Sequence, residues 1–151
     1  MLKRVMDLLG GRDVARPLSD PDDLQFAVAA LLVEAARMDS DFNVAERATI
    51  KRLLAGKFGL APEAADQLIE TADQSVRHAT QLFPFTRVVC QQMDADARTS
   101  LIEMLWKVAF TDGVLDPHED MLVRRIAGLI HVPDRERAQA RQNALAKLAV
   151  K

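Results

Sequence analysis

The segment ARMDSDFNVAE (36–46) is restated 73 residues later as AFTDGVLDPHE (109–119), and this repeat constrains the fold more than any other feature. The shift superposes Ala36 on Ala109, Asp39 on Asp112, Glu46 on Glu119 and Arg52 on Arg125. Each copy reads as a helix end, a short turn and a helix start. The segments before the two turns, AVAALLVEAAR and LIEMLWKVAF, are apolar nearly all round, which predicts two central, buried helices. After each turn comes an amphipathic helix, and then a proline-initiated one. The pattern predicts two helical hairpins related by duplication.

Helix punctuation recurs along the rest of the chain, and nothing alternates as a strand would. SDPDD (19–23) starts a helix from about Leu24 to Met38. Asn43 to Phe58 is a second helix with Gly59 as its stop, and Pro62 opens a third, polar enough to lie across the surface. Pro84 opens a short helix, Asp94 caps a long one through Phe110, Asp116-Pro117 starts the next, and Pro133 begins the last. The predicted fold class is therefore all-α, a single domain of about seven helices. Residues 1–23 form a lead, either a short helix with Leu2, Val5, Met6 and Leu9 on one side or a mobile segment; residues 24–151 form the helical domain.

Composition removes several function classes. A formal net charge of -2 argues against a broad basic footprint for nucleic acid. A single cysteine, Cys90, excludes an intramolecular disulfide and a multi-cysteine zinc site, and its apolar run VVCQQM predicts a small buried hydrophobe. MLKRVMDLLGG is too short to span a bilayer and is interrupted by Asp7, so no integral membrane segment is expected and the protein is read as cytoplasmic.

An acid at a helix C-terminus opposes the helix dipole, so Asp39 and Asp112 need an explanation. Capping accounts for part of the pattern: NVAE and DPHE both offer an N-cap with a glutamate three residues on, worth about 1 kcal/mol each. Helical angles add a second consideration. At about 100° per residue, Ile50, Leu53 and Leu54 share the side of Glu46, and Leu122, Val123 and Ile126 share that of Glu119. Leu32, Ala35 and Ala36 share the side of Asp39, as Leu105, Val108 and Ala109 do for Asp112. All four carboxylates thus prolong apolar stripes. Turned inward, each must be neutralised, hydrogen-bonded to backbone amides, or bound to a cation. DSDFNVAE is not an EF-hand, since its closing acid comes at the eighth position and the central glycine is missing. The all-oxygen set Asp39, Glu46, Asp112 and Glu119 favours calcium or magnesium over zinc; His118 points away from Glu119 and is not counted. Caps and a cation both remain open readings at this point.

At these residues the chain resembles the TerB-like family, in which a buried apolar helix ends in A-x-x-D-G/S and a short turn leads to a glutamate, in two copies. Here those are AARMDSDFNVAE and VAFTDGVLDPHE, and the resemblance runs from about Leu24 to Arg141, including LFPFTRVV and AGLIHVP. It implies an all-helical duplicated fold, an acidic centre for a divalent metal, and association with stress responses including tellurite resistance. Related domains in membrane-anchored co-chaperones imply a non-catalytic interaction module. The chain departs from the family at Ser40, where glycine is usual, and carries Arg37 and Phe110 beside the acids.

No phosphate loop, nucleophile elbow or H-E-x-x-H pair is present, and His78 and His131 stand apart from Cys90, so no enzyme is expected. The reading is a small cytoplasmic helical protein that binds a divalent ion through the four acids, uses no organic cofactor, and acts through contact with a protein partner. The alternative is a metal-free interaction module whose acids are satisfied by backbone amides. Trp106 is expected in the core and Arg124 and Arg125 on a solvated edge. The C-terminal helix offers Ala138, Leu145 and Leu148 to the body of the protein or to a second copy in a homodimer.

Overall fold

The computed structural model describes residues 21–39, 42–78, 81–111 and 116–149. Among these the chain forms α1 (Pro21–Ala36), a 3-10 turn (Arg37–Asp39), α2 (Val44–Phe58), α3 (Pro62–His78), α4 (Phe83–Gln92), α5 (Ala95–Ala109), α6 (Pro117–Leu129) and α7 (Asp134–Ala149). The described residues hold seven α-helices and no strand, as the sequence predicts. The helix expected around Leu2–Leu9 lies outside them. None of the described helices is long and apolar enough to cross a membrane.

The run FAVAALLV (26–33) explains the architecture. Every side chain in it is buried, so α1 has no polar face over two turns and must be enclosed on all sides. It is: α2, α3, α4, α5 and α6 all pack against it. Phe26 meets Phe85 of α4 edge to face, with ring centroids 5.7 Å apart. The second central helix, α5, buries Leu101, Ile102, Leu105, Trp106 and Val108 against α1, α2, α6 and α7.

The duplication is visible in the boundaries. Ala36 and Ala109, the last residues of α1 and α5, are 73 apart, and so are Val44 and Pro117, the first residues of α2 and α6. It extends to a third helix in each copy, since α3 packs on α1 as α7 packs on α5. Helix α4 stands between the copies and touches both α1 and α6.

Local chemistry sets the ends. Asn43 accepts the Glu46 N–H at 2.8 Å while its own N–H reaches Glu46 Oε1 at 3.2 Å, a complete capping box. Gly59 follows α2 at φ 64, a left-handed position at which a Cβ is unfavourable. Asp94 accepts the Ala97 N–H at 2.8 Å. His131 takes the left-handed conformation after α6, at φ 62.

Three expectations are corrected. Helix α3 does not merely lie across the surface: Ala65, Leu68, Ile69, Ala72 and Val76 form a buried stripe, which its polar remainder obscures in the sequence. Cys90 is half-buried, with Sγ 3.5 Å from the Leu129 carbonyl oxygen. In α7 the buried face is Ala140 and Ala144, an i, i+4 pair small enough for α5 to approach; Ala138 is exposed, and the side chain of Leu148 lies outside the described residues.

Leu32, fully buried in α1, tests the central role of that helix. Leu32→Ala is expected to lower unfolding stability by about 3 kcal/mol, read as a reduced urea midpoint at unchanged slope.

Candidate functional site

The two copies interlock near the ends of their central helices. The 3-10 turn that ends the α1 arm packs against α6, the helix that starts the second hairpin's return. Reciprocally, α2 packs against α5. This second contact has an atomic signature: the hydroxyl oxygens of Thr49 in α2 and Thr111 just after α5 are 3.3 Å apart. Each also lies within reach of a carbonyl of its own helix, Ala45 O at 3.1 Å and Lys107 O at 3.0 Å. Two protons serve these three contacts, so one hydroxyl bridges the copies while the other bonds back to its helix. Thr49 stands one turn after Glu46, and Thr111 immediately precedes Asp112.

Both glutamates are almost wholly shielded from solvent, Glu46 at 2% exposure and Glu119 at 1%. Each continues a buried stripe: Ile50 and Leu54 beyond Glu46, and Leu122, Val123 and Ile126 beyond Glu119. Neither carboxylate is free of partners. The local caps differ between the copies. Glu46 closes the capping box with Asn43, whereas Asp116 accepts the His118 N–H at 2.7 Å rather than forming the reciprocal box expected of DPHE. Asp112 and the side chain of Asp39 lie outside the described residues, as does Asp41. Among the described residues no group of three or more His, Cys, Asp or Glu side chains is gathered as for a metal ion, a set to which the proposed site contributes only Glu46 and Glu119. His118 is exposed.

Arg37, beside Asp39 in sequence, is engaged elsewhere. Its Nε donates to Asp73 Oδ1, and Arg77 donates to Asp73 Oδ2 at 3.1 Å, so a buried carboxylate of α3 holds both guanidinium groups. Arg37 and Arg47 also lie over the Phe42 ring, at 5.5 and 5.9 Å from its centroid. The chain leaving α1 is thereby clamped to α3 at the point where it turns towards α2. Burial alone would raise the Asp73 carboxyl, but hydrogen bonds and charge from Arg37 and Arg77 outweigh it and hold that group below its ordinary range. Glu34, one turn before the 3-10 turn, behaves oppositely: burial raises it, and Arg125 and Arg37 offset only part of that. Asp73 went unnoticed in the sequence although its signal is present, an acid lying on the apolar stripe of Leu68, Ile69, Ala72 and Val76.

A model of the family described as tellurite resistance protein TerB matches residues 25–142. No curated protein and no solved structure matches the chain.

Asp73→Asn is expected to destabilise the protein at neutral pH by about 2–3 kcal/mol, since it leaves two guanidinium groups without their charged acceptor. Because the folded carboxyl lies below the unfolded value of 3.8, its contribution is complete above that value and is lost as pH falls through the folded one. Urea titrations of both proteins between neutral and strongly acidic pH should therefore converge at the acid end; a constant gap would refute the ion-pair account.

Proposed function

The chain belongs to the TerB family, and from that premise we propose that it is a non-catalytic cytoplasmic protein that holds a divalent cation among Asp39, Glu46, Asp112 and Glu119. It acts, on this reading, through contact with a protein partner in a stress or toxic-agent response of the tellurite type. The supporting observation is the burial of Glu46 and Glu119 at equivalent positions of the two copies. Keeping a carboxylate out of water at both positions is costly, and a shared cation is one arrangement that repays the cost twice over. The donor chemistry fits a hard ion: carboxylate oxygens suit calcium or magnesium better than zinc. The ion would supply charge neutralisation, tying the aspartate ends of α1 and α5 to the glutamate starts of α2 and α6. Arg37 does not oppose it, because Asp73 already engages that guanidinium.

A second reading rests on a specific contact. The capping box uses Glu46 Oε1 within its own helix, which favours a metal-free interaction module in which backbone amides satisfy the acids.

Calorimetry on chelator-treated protein separates the two. Titration with calcium, magnesium, manganese and zinc chlorides is expected to give saturable binding for calcium or magnesium, weakened at least about tenfold by Asp112→Asn and by Glu119→Gln, since each removes one charged ligand. Binding that survives both substitutions removes this site. Absence of binding by all four ions leaves the metal-free module.

A further inference from the structure

A cleft of about 530 Å³ opens between α5, α6 and α7, lined by Trp106, Pro117, Asp120, Arg124, Arg137, Ala138 and Arg141. Its size is that of a small-molecule site. Three guanidinium groups face one carboxylate in it, on a chain whose net charge is -2. Asp120 is matched with Arg124 at 2.9 Å, and among the described residues the one ion pair of Arg137 is with Asp134, which is 91% exposed. Arg141 makes no ion pair among the described residues. It lies instead over two aromatic rings, 5.7 Å from the centroid of Trp106 and 5.5 Å from that of Phe110. Beneath it the Trp106 indole N–H is buried and has no acceptor among the described residues.

The fold does not require this arrangement. Trp106 corresponds to Val33 at the 73-residue shift. The third helices correspond at 72, since the Arg137 N–H bonds to Pro133 O as the Ala65 N–H bonds to Ala61 O. Ala65 and Ile69 therefore hold the positions of Arg137 and Arg141, and all three first-copy residues are buried and apolar. The first copy fills these three positions with packed apolar side chains. Among the described residues, this basic cleft is built from the second copy.

We propose that this cleft binds a small organic oxyanion, a phosphate monoester or a carboxylate. The forks of Arg137 and Arg141 bond its oxygens, and its apolar body lies along Trp106, Pro117 and Ala138. The shared chemistry is a planar pair of donors meeting a pair of anionic oxygens; phosphate and carboxylate differ in charge and shape, which the assay resolves.

Trp106 is the only tryptophan, so its indole cross-peak in a ¹H–¹⁵N spectrum reports the cleft directly. The whole chain is titrated with phenyl phosphate, benzoate and inorganic phosphate, with sodium chloride at matched ionic strength as reference. Saturable movement of that peak is expected with phenyl phosphate or benzoate, whichever binds tighter naming the headgroup, and weaker binding with inorganic phosphate. Arg141→Ala should weaken it at least tenfold with the helical circular dichroism retained. Arg137→Ala, at a more peripheral side chain, should do the same should Arg141→Ala fail to fold. Drift equal to that in chloride, or saturable binding unaffected by Arg137→Ala, overturns the proposal.

Discussion

Helix α1 has no side that tolerates water from Phe26 to Val33, and the other helices are arranged by that fact. A single hairpin cannot enclose it: α2 and α3 cover part of the surface, and the remainder must be covered by α4, α5 and α6. The second copy is thus required as packing material for the first, which accounts for its central helix being nearly as apolar. Burial of this extent is the dominant favourable term in such a bundle, and Ala27, Ala29, Ala30, Ala35 and Ala36 allow the neighbours to come close enough to realise it.

Interlocking follows from enclosure, and the position of the acids follows from interlocking. Once α5 lies beside α1, the end of each central helix is near the return helix of the other copy, so that Thr111 meets Thr49 and the 3-10 turn meets α6. Glu46 and Glu119 then lie at the margin of a shared core rather than on separate surfaces. Basic residues near this region are held by other partners: Arg37 by Asp73, and Lys107 by Glu103 at 3.2 Å, where Lys147 of α7 also binds at 2.6 Å. Burial alone would raise Glu103, but Lys147 and Lys107 together hold it below its ordinary range, and its pairing with Lys147 pins the third helix of its copy to the second central helix.

Most of this was legible because repeats and caps are local signals. Asn43, Gly59, Asp94 and Pro117 mark their boundaries through chemistry contained within a few residues, and the helices begin and end there. The burial of Glu46 and Glu119 was legible for a related reason, since helical angle alone places them on an apolar stripe. What stayed hidden depends on the partner element. The fully buried residues of α7, Ala140 and Ala144, are set by how closely α5 approaches, with the expected Leu145 partly buried against the core beside them. The Arg37–Asp73 pair joins residues 36 apart, on helices whose contact no periodicity announces. Arg124, Arg137 and Arg141 likewise look like ordinary surface charges until α6 and α7 bring them to one cleft.

The duplication therefore leaves two different environments on one helix. Glu119 and Asp120 are neighbours on α6, turned about 100° apart, and the first faces the core while the second faces the basic cleft. Where both copies keep the same residue, as with Glu46 and Glu119, it is buried at the start of the return helix in each. Where they differ, as with Val33 and Trp106 or Ile69 and Arg141, the first copy buries an apolar side chain and the second lines the cleft. The acid that both copies bury and the acid that lines the cleft therefore lie on different faces of α6, so one helix carries a repeated feature and a copy-specific one without the two competing for the same side.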